Sequence, residues 1–535
     1  MDYKKLKIPI MVLFLSTGIL LGTQIQRAIS GDNLFESLKK FNDVLSLTQK
    51  NYVEDVETNT LVEAAINGML EELDPHSVFI PKKNMERVEE EFRGDFEGIG
   101  IEFQIVNDTL TVVSAISGGP SEALGIQAGD RIVKIDGNQF VGKSNDDVRN
   151  TLRGKKGTKV VVSVKRNGEK NLIEYEIVRD KIPLYSVDAS IMLDDKTGYV
   201  SVSRFAEKTT DELIEGLKKL KAQGMKQLVL DLRNNPGGYL NQAFMIADLF
   251  IDGDKKIVYT QGRKPEFNEE YYAGDPSEFE KTPIIVLINR GSASASEIVS
   301  GAIQDWDRGL IVGETSFGKG LVQRQFTLSD GSALRLTISK YFTPSGRLIQ
   351  RDYGSKEEYY EEIAERPDSI EGDNMNHSFD ADTTRPKFKT SGGRVVYGGG
   401  GITPDYFTKN DRLTAYTSSL LRKNTFYLFV LNYLNTEGKG LSAKYGENLQ
   451  KFVNEYEISD AVLSDFIAFS TKEGVEKIES DMQKDSEYIK ARLKATIARN
   501  YWKNDGWYSV ILKQDNEIKT ALGLFSKAKE MVSSR

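Results

Sequence analysis

Cysteine is absent from all 535 residues, and histidine occurs only at positions 76 and 377. Disulfides, thiolate zinc sites, cysteine nucleophiles and lipid-bearing cysteines are therefore excluded, and the fold must be held by packing. Two histidines leave almost nothing for a histidine metal cluster or a Ser-His-Asp triad. Packed cores are affordable, because 39% of residues are hydrophobic and 28% charged, unlike a disordered chain. At roughly 100–200 residues per domain, the length predicts three or four domains. The balance of 71 Lys+Arg against 79 Asp+Glu gives a net charge of −8, with no basic excess to neutralise phosphates, so nucleic acid is not an expected partner. An enzyme built from this sequence has to move protons largely without histidine.

Lys4, Lys5 and Lys7 precede an apolar run from Ile8 to Gly22, the layout of an export signal. The run is shorter than the roughly 20 residues of a spanning helix. Residues 1–30 fit both a cleaved signal peptide, with Ala28-Ile29-Ser30 as a small-residue site, and a retained membrane anchor. Either reading expects residues 31–535 to work outside the cytoplasm.

Three textures follow. Leu34, Phe35, Leu38, Phe41, Val44 and Leu45 recur at helical spacing, as do residues 61–72, up to the turn signal Asp74-Pro75. From about residue 95, short β-runs alternate with glycines, interrupted by one helical stretch at Asn145–Leu152. From about 184, apolar strands (228–232, 284–288) alternate with helical patterns (211–223, 297–305), as in an α/β layer. Residues 351–397 are acidic, Tyr-rich and poorly periodic, which predicts a surface insertion; 398–410 return to the core, and 411–535 read as helices.

Within the β-rich stretch, small residues at Gly98-Ile99-Gly100-Ile101 let consecutive N–H groups converge on a carboxylate. A ligand so held can continue as a strand along Ile101–Phe103, with Val148 and Leu152 lining a pocket for its last apolar residue. Together with Gly118–Gly137, this segment resembles a PDZ domain of the bacterial protease type, which implies capture of a protein C-terminus over residues 83–180. A PDZ fold serving only as a lid is the alternative.

Three further features cluster between 228 and 323. Asp231-Leu-Arg-Asn-Asn-Pro-Gly-Gly238 runs from a strand into a turn whose backbone can approach a substrate closely. Asn289-Arg-Gly-Ser-Ala-Ser-Ala-Ser-Glu297 follows an apolar strand and opens a helix, a place where a serine is exposed near the positive end of the helix dipole. Gly313-Glu-Thr-Ser-Phe-Gly-Lys-Gly320 nearly fits a phosphate-binding loop, but Gly320 occupies the hydroxyl position and a strand pattern follows. Without histidine, a serine nucleophile needs another base. An unperturbed lysine, with a pKa of about 10.4, is well under 0.1% neutral at pH 7. Burial between apolar neighbours such as Phe317 and Leu321 is the kind of setting that favours the neutral amine.

The Ser-Ala-Ser-Ala-Ser-Glu-Ile run, Phe-Gly-Lys-Gly-Leu-Val-Gln, the Asn-Pro-Gly-Gly turn and Leu73-Asp-Pro-His-Ser77 together resemble the carboxyl-terminal processing (tail-specific) proteases, peptidase family S41, with Gly400-Gly-Ile-Thr-Pro-Asp405 as a later echo. The resemblance implies a multidomain α+β architecture with a crotonase/ClpP-like α/β protease core at 181–350, a PDZ domain inserted after an N-terminal helical region at 31–82, and a helical C-terminal extension. It implies Ser294 as nucleophile, Lys319 as base and Gln323 as the residue positioning that lysine, 319 and 323 facing the same side if both lie on a strand. Gly237, Gly238 and the Ala295 N–H become oxyanion-hole candidates. No metal or cofactor is implied. The expected partners are proteins or peptides with apolar C-termini; a homo-oligomer or an adaptor protein remains open. The nearly 50 residues between Gln350 and Gly400 depart from many members. Two rivals remain: a non-catalytic PDZ adaptor on a protease-like core, and a serine hydrolase of small esters or amides.

Overall fold

The computed structural model describes residues 34–365, 371–375, 385–409, 411–446 and 448–533. The export-signal segment 1–30 and His377 lie outside the described residues. The chain divides into two compact units, 1–79 and 80–535. Among the described residues, no helix is long and apolar enough to cross a membrane.

In the first unit the helical periodicity becomes two helices, Leu34–Asn51 and Thr58–Glu71. The apolar stripe of the first, including Leu34, Leu38 and Phe41, stays exposed. The Asp74-Pro75 stop is an Asx turn: the Asp74 carboxylate accepts the His76 and Ser77 N–H groups, each at 2.8 Å, and the Ser77 hydroxyl at 2.7 Å. His76 is buried in that turn.

The second unit is organised on a central sheet ordered Val187–Met192, Thr197–Val202, Gln227–Asp231, Ile284–Ile288, Leu310–Gly313, Tyr406–Phe407 and Gly372–Asp373, parallel except at its two edges. Near-continuous Val/Ile/Leu strands suit a sheet covered on both faces. Alternate residues face opposite ways: Leu228, Leu230, Val286 and Ile288 join one core, whereas Val229, Ile285, Leu287 and Val312 join another. Helices Thr209–Ala222, Leu240–Asp248 and Ala295–Asp305 supply the first layer. The second layer contains Ile518, Ala521, Phe525 and Ala528 of the terminal helix Asn516–Ser533. The last helix of the expected extension is thus part of the covering of the central sheet.

Residues 101–178 form a separate antiparallel sheet, Ile101–Val106, Thr109–Ala115, Arg131–Ile135, Lys159–Lys165 and Ile173–Val178, with the helix Asn145–Leu152 where the sequence pattern predicts it. Its own core gathers Ile99, Ile101, Val112, Ile132, Val148, Leu152 and Val162. A second antiparallel sheet of the protease region pairs Leu321–Thr327 with Ala333–Phe342, and that strand with Lys256–Gly262. Most of the remaining C-terminal helices, from Ala415–Arg422 to Ser486–Ile511, close around an aromatic core with Phe426, Phe429, Phe452 and Phe466.

The acidic insertion is not wholly a surface feature. Its helix Lys356–Glu365 brings Tyr359 into the interior, 1% exposed, against Phe317 at 5.7 Å between ring centroids and under the Arg351 guanidinium at 4.0 Å. Aromatic and cation–π contacts explain why a Tyr-rich sequence without clear periodicity packs there. The Gly-Gly-Ile-Thr-Pro-Asp segment returns to the central sheet, with Asp405 accepting the Ile311 N–H at 2.8 Å.

Candidate active site

Ser294 occupies the turn between the strand Ile284–Ile288 and the helix Ala295–Asp305, with φ 54° and ψ −111°. A non-glycine residue in this conformation is strained and persists only where its surroundings fix it. They do so here: Ser292 Oγ donates to the Leu232 carbonyl (2.8 Å), Ala293 N–H to the Asn235 carbonyl (3.0 Å), and Tyr341 OH to the Ser294 carbonyl (3.1 Å). A strained strand-to-helix turn presents a serine hydroxyl outward at the mouth of an α/β sheet.

The Asn-Pro-Gly-Gly turn lies against it. A Cβ on Gly237 would sit 2.8 Å from Ser294 Cβ and 2.9 Å from Ala295 N, at φ +98°, so only glycine permits this approach. Asn235 holds the turn: its Nδ2 donates to the Val202 carbonyl (2.8 Å), its Oδ1 accepts the Gly237 N–H (2.9 Å), and its carbonyl also accepts Ser296 Oγ (2.9 Å). The Gly237 N–H, one of the oxyanion-hole candidates, is bonded within the turn to Asn235 Oδ1, and the residue's missing side chain is what lets the turn approach Ser294. Among the described residues, the Gly238 N–H has no such bond, and the Ala295 N–H opens a helix, where first-turn donors lack intrahelical partners.

Lys319 sits in the loop before the strand Leu321–Thr327, not on it, and a bulge separates Val322 from Gln323. The same-side argument from strand alternation therefore fails, yet the contact forms: Lys319 Nζ donates to Gln323 Oε1 at 3.0 Å. The loop is braced by Gly320 N–H donating to Gln350 Oε1 (2.8 Å).

Glu297, quoted in the serine motif but given no role there, ties these parts together. Its side chain is fully buried and accepts the N–H groups of Ser294 (2.8 Å), Gly318 (2.7 Å) and Lys319 (2.9 Å) and the hydroxyl of Ser316 (2.5 Å). Burial raises its pKa, opposed by those hydrogen bonds. Its spacing, three residues after a helix-opening serine, was the available signal. Arg233 anchors the base of the glycine turn. It is bonded to Asp231 and, from the C-terminal region, to Asp515 (2.8 Å) and Glu517. Burial pushes the Glu517 carboxyl up to about 7, partly opposed by Arg233.

A cavity of about 460 Å³ brings together Gly237, Gly238, Ser294, Lys319 and Gln323. Phe92 and Val88 of the helix Lys82–Arg93 and Ile298, Leu321 and Tyr341 add apolar wall. The expected tail-binding residues lie elsewhere: Gly98 and Ile101 on two successive strands, Ile99 and Gly100 in the link between them, and Val148 and Leu152 on the helix Asn145–Leu152. Gly98 closes the strand Asp95–Gly98, paired with Asp180, and Ile101 opens the next, so the segment is not one continuous strand. Ile99, Val148 and Leu152 are buried against one another's core. Among the described residues, no cluster of His, Asp and Glu has metal-binding geometry.

A doubly covered α/β sheet, a strained serine beside a glycine turn and a separate PDZ-like sheet together point to a serine protease. The model for peptidase family S41 matches residues 196–358, that for the PDZ domain 98–177, that for the activating protease CtpB N-terminal domain 21–84, and a family of unknown function 416–503. The carboxy-terminal-processing protease of Bartonella bacilliformis is 39% identical over 342 residues, which cover 63% of this chain and 78% of that one. The "Probable CtpA-like serine protease" of Staphylococcus aureus strain N315 is 37% identical over 328 residues, 61% of this chain and 65% of its own. Among solved structures, the photosystem II D1 C-terminal processing protease is 31% identical, covering 61% of this chain and 86% of that one, with a TM-score of 0.33. The chain belongs to peptidase family S41: it is a serine protease of the carboxy-terminal-processing kind, with a PDZ domain.

Proposed function

We propose that the enzyme cuts peptide bonds with a Ser294–Lys319 dyad. The neutral Lys319 amine takes the Ser294 hydroxyl proton as Oγ bonds to the peptide carbonyl carbon. The tetrahedral oxyanion is met by the Gly238 and Ala295 N–H groups. Collapse breaks the C–N bond, the lysine proton passes to the leaving amine, and water then releases the acyl group by the reverse sequence. Gln323 Oε1 orients the lysine amine. The observation that carries this reading is the shared cavity containing Ser294, Lys319 and the glycine turn, with the Lys319–Gln323 hydrogen bond supporting the role of Gln323.

The PDZ domain captures the substrate's C-terminus along Gly98–Ile101, its last apolar side chain entering between Val148 and Leu152. Since these side chains are buried in the present arrangement, capture requires the groove to open. The N-terminal segment exports the enzyme, leaving it in the periplasm as a tethered or released protein. Domain limits at 82, 180, 350, 397 and 410 suit this division of labour. The test is digestion of a protein with an apolar tail beside the same protein with its tail blocked. Cutting of the free tail alone is expected, with none by Ser294→Ala. Equal cutting of both tails removes PDZ capture from the account, and cutting by Ser294→Ala removes the nucleophile.

A further inference from the structure

Arg335 stands on the strand Ala333–Phe342 and lines the same cavity as Ser294, Lys319 and Gln323. Its guanidinium lies 5.1 Å from the centre of the Phe92 ring and donates one hydrogen bond, 3.3 Å, to Gln325 Oε1. Among the described residues, it forms no ion pair with a carboxylate, although Glu89 lines the same cavity. Glu91 acts on it from a longer range, and burial works against its charge. Arginine keeps its charge in proteins and offers a planar fork of donors matched to a carboxylate. A half-buried cation with one neutral hydrogen bond is under-compensated, and the open side available for compensation is the substrate cavity.

Its position is set by register. Gln323 lies opposite Thr337, and Gln325 opposite Arg335. Arg335 is therefore one side-chain repeat, roughly 7 Å, farther along the sheet than the residue holding Lys319. Roughly the same distance separates residues two apart in an extended peptide.

We propose that Arg335 is a specificity-determining residue, binding a substrate carboxylate about two residues from the peptide bond that is cut. This rests on the reading of Ser294 and Lys319 as the reacting pair. The carboxylate is either an Asp or Glu side chain or the free C-terminus of the segment in the cavity.

The test measures binding to the full chain carrying Ser294→Ala, with labelled apolar peptides. In one set the tail is amidated, which removes the carboxylate sought by the PDZ domain, and a single Asp or Asn is stepped through every position. A second set compares free and amidated tails. The expected result is an Asp-over-Asn or free-over-amidated preference of roughly tenfold in Kd. It is lost in Ser294→Ala/Arg335→Gln and partly kept in Ser294→Ala/Arg335→Lys. The Asp series identifies a side chain as the ligand; a free-tail preference that Arg335→Gln removes identifies the C-terminus, while one that survives belongs to the PDZ domain. The proposal is overturned if no preference depends on Arg335. If the preference is present but the wild-type chain cuts none of the peptides, the dyad reading fails and the anionic subsite stands.

Discussion

Ser294 and Lys319 donate their backbone N–H groups to the same carboxylate oxygen, Oε2 of buried Glu297, at 2.8 and 2.9 Å. The proposed nucleophile and base are thereby registered to one point, although one opens a helix and the other precedes a strand in a different sheet. Glu297 is fully buried and its carboxylate is taken up by these bonds, which suits a positioning role.

Glu297→Gln substitutes an amide N–H₂ for one acceptor oxygen, so in either amide orientation at least one backbone N–H is left facing a donor. The chain is expected to fold with a loss of about 1–3 kcal/mol. The expected loss in kcat is about 100-fold with little change in KM, because the displaced parts bind substrate less than they orient it. Steady-state kinetics beside thermal melting checks this; an unchanged kcat contradicts it.

Gly237→Ala places a methyl group 2.8 Å from Ser294 Cβ in a backbone conformation with φ +98°. We expect loss of activity by at least about 100-fold, comparable to removing an oxyanion donor, with about 1–3 kcal/mol of destabilisation. Wild-type kinetics in this variant would mean that the turn does not press on the serine as described.

Glu517 supplies a pH signature. Its folded value of about 7 lies above its ordinary 4.5, so between those values the folded state holds the proton more tightly. The stabilisation from that proton is fully present below about 4.5 and is lost as pH rises through 7, by about 3 kcal/mol at most. In Glu517→Gln this fall is absent. Melting curves of both chains between pH 4.5 and 8 are expected to differ in slope; parallel profiles contradict the assignment.

Tyr359→Ala removes a buried ring packed against Phe317, two residues before Lys319. The expected cost is about 3 kcal/mol, with a lower kcat from a loosened lysine loop. Were the insertion helix inert, neither stability nor kcat would move.

Much of the site was legible because its chemistry sits in short motifs at element boundaries. The strand 284–288 and helix 145–152 were readable from apolar runs and periodicity, and Gly237-Gly238 from a turn that tolerates no side chain. What escaped depends on contacts between distant segments. Nothing local in Lys319–Gln323 announces a loop and a bulge in place of a strand. Arg233 gives no sign that Asp515 and Glu517 will reach it, and Tyr359 looks like surface until Phe317 and Arg351 are placed beside it. Asn235 lay within the recognised turn, but its role required knowing where Val202, Ala293 and Ser296 fall in space.

The most direct test of the central claim is single-turnover cleavage of one tail-bearing substrate by Ser294→Ala, Lys319→Ala and the double variant. Groups that act as a unit are non-additive. The account predicts that each single change lowers the rate by about 1000-fold or more and that the double variant is no slower than the worse single one. Residual cleavage near the wild-type rate in either single variant, or losses that multiply in the double, would contradict it.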